Sequence, residues 1–309
     1  MARRTVTIDN VFFSEMPDFG QVMYEQGIAL YDTLEGFRRG GDAETEFVDC
    51  PVRAQMVMFI LCVSGRIRMR LNLQDYEMGD GDVMVIRPNT IFESLRLAAG
   101  SRVAALMVAD TFYHLFPQKQ TSMARPLPAL VPAVLHAGEP VVGHLIGIYR
   151  QMCSVVRAED FSHKEDALRG YLQVASSILE SLKERMEAQQ EAQTDKTSRS
   201  ETIYARFVSD VHRHFREHRD TAFYAGLQCV TPKYFGQMVR RASGRMPSDI
   251  IGEYVILEAK MLLRSEHYTV QQVCNLLNFP NPSFFGKYFK AHVGQTPRQF
   301  AEQTENKQS

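Results

Sequence analysis

The last third of the chain repeats itself, and this restricts the fold more than any other feature. Thr231-Pro-Lys-Tyr-Phe-Gly-Gln-Met-Val-Arg240 lies 50 residues before Asn281-Pro-Ser-Phe-Phe-Gly-Lys-Tyr-Phe-Lys290, and Ser243-Gly-Arg-Met-Pro247 matches Val293-Gly-Gln-Thr-Pro297 at the same offset. The segments before them match at an offset of 49, Ala225-x-Leu227 with Cys274-x-Leu276, so the second unit has one more residue in its turn. Each unit reads as helix, tight turn, helix. Thr231 and Asn281 are N-cap residues, with Pro232 and Pro282 at the first helical position, where a missing N–H costs nothing. Gly244 and Gly294 stop the second helices, and Pro247 and Pro297 prevent continuation. Asn278 falls in the second unit's turn, where a residue tolerant of positive φ is needed.

The second helices have two unlike faces. In the first unit Phe235, Met238, Val239 and Ala242 make an apolar stripe, and the other face carries Lys233, Gly236, Gln237 and Arg240, with Arg241 beside them. In the second, Phe285, Tyr288 and Phe289 make the stripe, and Asn281, Ser283, Gly286, Lys287 and Lys290 are left outward. Arg, Lys, Gln, Asn and Ser are the side chains that contact phosphates and base edges, and glycine lets a helix come close to DNA. One such face is an ordinary solvated surface; two in tandem predict a double-stranded DNA interface. Ser248 to Arg264 forms one helical pattern between the units, with Ile251, Tyr254, Val255, Ala259 and Leu262 on its stripe and Glu258 interrupting it. A helix of that length spans roughly 25 Å, a plausible spacer for two recognition helices one DNA turn apart.

Charge agrees. The chain of 309 residues has net charge −1, but from Ser200 onward it holds 14 Lys and Arg against 10 Asp and Glu, leaving −5 for the rest. Such asymmetry suits a polyanion-binding segment joined to something else. The longest apolar run, Met56 to Val63, is too short to cross a membrane, and no apolar stretch follows the N-terminal arginines, so no membrane association and no secretory signal are expected. Five scattered cysteines without a Cys-x-x-Cys pair suit a reducing cytoplasm.

Upstream, residues 1–115 read as short strands broken by Gly and Asp turns, as in a sandwich or small barrel. Residues 140–187 change period: Val142, Leu145, Tyr149, Met152, Val156 and Leu168, Tyr171, Ala175, Ile178, Leu182 alternate in steps of 3 and 4. These stripes fit helices packed on their own strands, on a second subunit, or on both. Residues 188–201 are polar throughout and read as an unordered linker. The expected organisation is therefore an effector and dimerisation domain over 1–187, a linker over 188–201 and a DNA-binding domain over 202–309.

Residues 203–302 closely resemble the DNA-binding domain of AraC-type (AraC/XylS) bacterial transcription regulators. The resemblance rests on Asn278-Phe-Pro-Asn-Pro-Ser-Phe-Phe-Gly-Lys-Tyr-Phe-Lys-Ala-His-Val-Gly-Gln-Thr-Pro-Arg-Gln-Phe300 and on Ala259-Lys-Met-Leu-Leu263. It implies two helix-turn-helix units joined by a long helix, with RNA polymerase as a further partner. Three positions depart from the family: Asn278 stands where glycine is usual, Val255 where arginine is usual, and Cys274 at a small core position. Val63-Ser-Gly65, Tyr76 to Asp82 and Val83 to Pro88 resemble, more weakly, the cupin-like barrel that many members carry. This implies a small-molecule effector and a homodimer held by the helices after the barrel, and leaves the effector-binding residues unassigned.

The expected class is thus an α+β two-domain protein: an N-terminal cupin-like β-barrel with dimerisation helices and a C-terminal all-α tandem helix-turn-helix domain. The expected function is sequence-specific, non-enzymatic transcription regulation without cofactor or metal. The alternative is a cupin-type metal enzyme fused to a DNA-binding domain. It lacks barrel ligands, because the first histidine is His114 and the usual ligand position after Pro88 reads Ile91-Phe92. Asp80, Asp82 and Glu93 are expected to satisfy turn amides. Arg66, Arg68 and Arg70 could anchor an anion or form a solvated sheet face. His214 and His218 have a zinc-ligand spacing, though a surface or DNA-facing role is expected. Cys50 is a faint candidate alkyl acceptor.

Overall fold

The apolar run beginning at Met56 becomes the centre of the N-terminal half. The computed structural model describes residues 21–25, 27–35, 45–48, 51–54, 56–88, 90–109, 134–193, 199–264 and 268–308. Cys50 and His114 lie outside them. The chain divides into two compact units at Asp195–Lys196.

In the first unit, strands β1 (Gln21–Glu25), β2 (Ile28–Asp32), β10 (Arg102–Ala109), β5 (Met56–Ser64), β8 (Asp82–Ile86) and β11 (Val134–His136) pair in that order. A second sheet has the order β3 (Thr45–Val48), β9 (Ile91–Leu97), β6 (Ile67–Leu71), β7 (Gln74–Met78), with β4 (Val52–Arg53) also paired to β9. All pairings are antiparallel. Among the described residues the two sheets share no strand, so they form an open sandwich and not a closed barrel. Short strands between Gly and Asp turns suit either architecture; register shifts at Glu46/Val48, Arg70/Leu71 and Arg102/Val103 interrupt the ladders near strand ends.

β5 explains the layering. Met58, Ile60 and Cys62 face the second sheet and pack with Ile67, Met69, Leu71 and Phe92. Val57, Phe59 and Leu61 face the other way, onto helices α1 (Gly138–Arg157) and α2 (Lys164–Gln193). A strand buried on both faces reads as a continuous apolar run, as this one does. The stripe residues Leu145, Tyr149, Met152, Leu168, Ala175 and Leu182 are buried in that same layer, so the 3-4 pattern packs on the chain's own sheet, while Val142, Val156, Tyr171 and Ile178 at its margins are half-buried.

α2 runs to Gln193 and α3 begins at Arg199, so residues 188–193 and 199–201 of the expected linker are helical. The correction has a simple cause. Residues 188–193 read Ala-Gln-Gln-Glu-Ala-Gln, strong helix formers, and extending an existing helix needs no new nucleus.

The second unit is all helix: α3 (Arg199–His214), α4 (Thr221–Leu227), α5 (Pro232–Ser243), α6 (Pro247–Arg264), α7 (Val270–Leu276), α8 (Pro282–Val293) and α9 (Pro297–Gln308). Phe207 of α3 seats the first helix pair, edge-on to Tyr224 at 5.5 Å and to Phe235 at 5.1 Å. Phe285 seats the second, 5.2 Å from Phe279 and 5.8 Å from Phe289.

Candidate nucleic-acid interface

The two helix-turn-helix units are built alike. Thr231 Oγ1 accepts the Tyr234 amide at 3.3 Å, and Asn281 Oδ1 accepts the Phe284 amide at 3.0 Å. Such caps are worth about 0.5–2 kcal/mol. Asn281 thus directs its side-chain oxygen at the helix start, and its NH2 remains as the donor for a partner. Gly244 (φ 74°) and Gly294 (φ 84°) end the helices left-handed, their amides donating to the carbonyls of Arg240 and Lys290. The turns cross positive φ at Cys229 (54°) and Asn278 (52°). Asn278 was legible as a turn residue. Cys229 was not, because cysteine carries no turn signal; the 49-residue offset onto Asn278 marks it.

Burial separates the faces as expected. Phe235 and Val239 are buried in α5, as are Phe285 and Phe289 in α8. Lys233, Gln237, Arg240 and Arg241 are exposed on α5, and Asn281, Ser283, Lys287 and Lys290 at and along α8. Gly236 and Gly286 are half-buried, with open space where a Cβ would project. Each unit therefore offers an exposed basic arc.

The scaffold beneath contains two contacts the sequence did not reveal. Glu258, fully buried on α6, is paired with Arg216 at 2.5 Å. The Arg219 guanidinium lies 3.8 Å from the Phe279 ring centroid and donates to the Leu277 carbonyl, tying the segment after α3 to the second unit's turn. Both partners are some 40 to 60 residues apart, beyond the reach of periodicity. Burial lowers the pKa of both arginines from the usual value. Cys274 is buried, as expected of a core position. His218 stacks on Phe223 at 3.7 Å and His214 meets the same ring edge-on at 5.4 Å, so these rings pack against α4. Among the described residues no group of three or more His, Cys, Asp or Glu could hold a metal ion.

In the first unit, Asp80 accepts the Gly65 amide at 2.7 Å, Asp82 the Gly79 amide at 2.8 Å and Glu93 the Leu73 amide at 2.5 Å, the turn role expected of them. Burial raises the Glu93 pKa, which this amide and Arg70 oppose. Arg66 and Arg68 pair with Glu77, and Arg70 with Asp75 and Glu93, which makes this an ion-paired, half-exposed sheet face. Burial pushes the Cys62 thiol up to about 12 and the Cys153 thiol up to about 11. An apolar cavity of about 50 Å³ lies within the layer between the sheet and the helices, lined by Phe59, Leu61 and Leu106 on one side and Tyr149, Met152 and Leu179 on the other. At its edge the Tyr149 hydroxyl donates to Asp32 at 3.0 Å.

Paired helix-turn-helix units with exposed basic arcs define a DNA-binding domain. Residues 224–303 match the model of a family described as "Helix-turn-helix domain". The chain is 26% identical over 91 residues to an uncharacterized HTH-type transcriptional regulator, YobQ, of Bacillus subtilis (strain 168); the match takes in 29% of this chain and 38% of that relative. Among solved structures, the DNA-binding domain of AdpA in complex with a target DNA is similar to 34% of this chain over 95% of its own, at 21% identity and a TM-score of 0.32. ToxT of Vibrio cholerae O395 is similar over 92% of this chain and 97% of its own, at 11% identity and a TM-score of 0.38. No helix among the described residues is long and apolar enough to cross a membrane.

Proposed function

We propose that this chain is a sequence-specific, DNA-binding transcription regulator of the AraC type, controlled through its N-terminal unit. One observation carries the reading: α5 and α8 repeat the same cap, the same buried aromatic position and the same exposed basic arc. Each would lie in the major groove, with Lys233, Arg240, Arg241, Lys287 and Lys290 toward phosphates and Gln237, Ser283 and the Asn281 amide toward base edges. The protein acts by binding and not by catalysis, as a cytoplasmic homodimer, with RNA polymerase as partner and a small molecule as effector.

Control would enter through the helix layer. The cavity of about 50 Å³ is well below the roughly 300 Å³ at which small-molecule sites begin. An effector of ordinary size fits only if α1 and α2 draw away from the sheet. α2 ends at Gln193, next to the junction at Asp195–Lys196, so the chain itself would carry that displacement toward the DNA-binding unit. Selection of bound sequences from a random duplex library, followed by titration, tests the reading. A recovered operator should bind at least about 10³ more tightly than random DNA. Equal affinity for both would sink it.

A further inference from the structure

Phe284 is 62% exposed, the most of any large apolar side chain among the described residues. A lone apolar side chain at a surface is ordinary; the position of this one is not. It is the third residue of α8, and its amide is the one held by the Asn281 cap. With 3.6 residues per turn it sits about 60° around the helix from Lys287, on the arc away from Phe285 and Phe289. The first turn of a recognition helix is the part that meets base edges. The first unit has an aromatic at the equivalent position, Tyr234, but that ring is half-buried, with the Arg199 guanidinium 5.9 Å from its centroid. The second unit's ring is the bare one.

We propose that Phe284 reads a thymine in the major groove through its C5 methyl group. The inference rests on the DNA-binding reading above. A phenyl ring has no donor or acceptor, so it cannot read a hydrogen-bonding edge. Among the groups that base pairs present in the major groove, the thymine methyl is the apolar one, and phenylalanine is among the side chains suited to it. Lys287 and Lys290 on the same arc would hold the flanking phosphates and bring the ring to groove depth. The second unit would therefore combine polar readout by Ser283 with apolar readout by Phe284, whereas the first relies on Gln237.

The test removes one methyl group. With the operator recovered by selection, each thymine is replaced in turn by deoxyuridine, and the full-length protein and its Phe284→Ala and Phe284→Leu variants are titrated. One position should weaken binding of the parent about fourfold, the cost of re-exposing one methyl-sized group. At that position Phe284→Ala should bind thymine and uracil DNA alike, while Phe284→Leu, still apolar, should keep part of the discrimination. Matching melting curves for the three proteins establish that the differences come from the contact and not from folding. A selected operator with no uracil-sensitive position overturns the proposal, as does a sensitive position that stays sensitive in Phe284→Ala. Failure to recover any selected DNA overturns the DNA-binding reading itself.

Discussion

Gln237 and Lys290 occupy exposed arcs of the same kind and should fail differently. Gln237 lies mid-helix on α5, where an amide can pair with adenine in a bidentate way worth roughly 1–3 kcal/mol. Lys290 lies near the C-terminal end of α8, nearer the backbone path. Gln237→Ala should change the base profile at one position, and Lys290→Ala should lower affinity evenly across sequences; profiles identical to the parent in both would refute the direct-readout assignment. A second single residue fixes the sandwich. Gly65 has φ 101°, and a Cβ there would lie 2.7 Å from the Ser101 Cα and 2.4 Å from its hydroxyl. That hydroxyl is already engaged, accepting from the Arg66 amide at 3.0 Å. Gly65→Ala therefore combines a disallowed backbone with a clash against main chain. It should cost more than about 2 kcal/mol, read as a lowered denaturation midpoint at unchanged m-value.

At the scale of elements, α2 separates what packs from what is free. Leu182 is 8% exposed and lies in the core shared by the sheet and α1. Val174, on the outward side of the same helix, is 51% exposed. Leu182→Glu puts a charge into an apolar layer and removes a buried leucine, and should destabilise the N-terminal unit by more than about 3 kcal/mol. Val174→Glu should leave thermal unfolding unchanged. If both substitutions melted alike, the assignment of faces would be wrong. The stripe through Leu182 was legible because a period of 3 and 4 reports a buried face. It could not report which surface does the burying, and the structure gives that surface to the chain's own sheet. The helix-turn-helix units were read almost completely, since caps, stops and faces are local and appear twice. The sandwich was read only as strands, because strand order is set by pairings such as Ala104–Leu61 and Ile67–Leu97, 30 to 43 residues apart, which leave no local trace. α2 overran the expected linker because polarity excludes burial but not helix.

For the whole molecule, salt dependence links charge placement to assembly. The net charge of −1 gives no reason for a polyanion to bind, so affinity must come from where the cations stand. Each phosphate neutralised by Lys or Arg releases counterions, and log K falls against log salt concentration with a slope of about −0.9 per contact. Lys233, Arg240, Arg241, Lys287 and Lys290 are the exposed cations on the two arcs. If all five contact phosphate, one copy should give a slope of about −4.5 and a homodimer engaging both halves of an operator about −9. Light scattering on the free protein, measured beside the titration, separates these outcomes. A dimer with the shallower slope would mean that only one copy meets the DNA; a monomer with the steeper one would place extra cations against the backbone, with exposed Arg298 of α9 and Arg206 and Arg213 of α3 among the candidates. Lys290→Ala should then flatten the slope by about 0.9 per copy engaged, an effect that loss of a structural contact would not produce. A slope indistinguishable from zero would remove the basic arcs from the interface altogether.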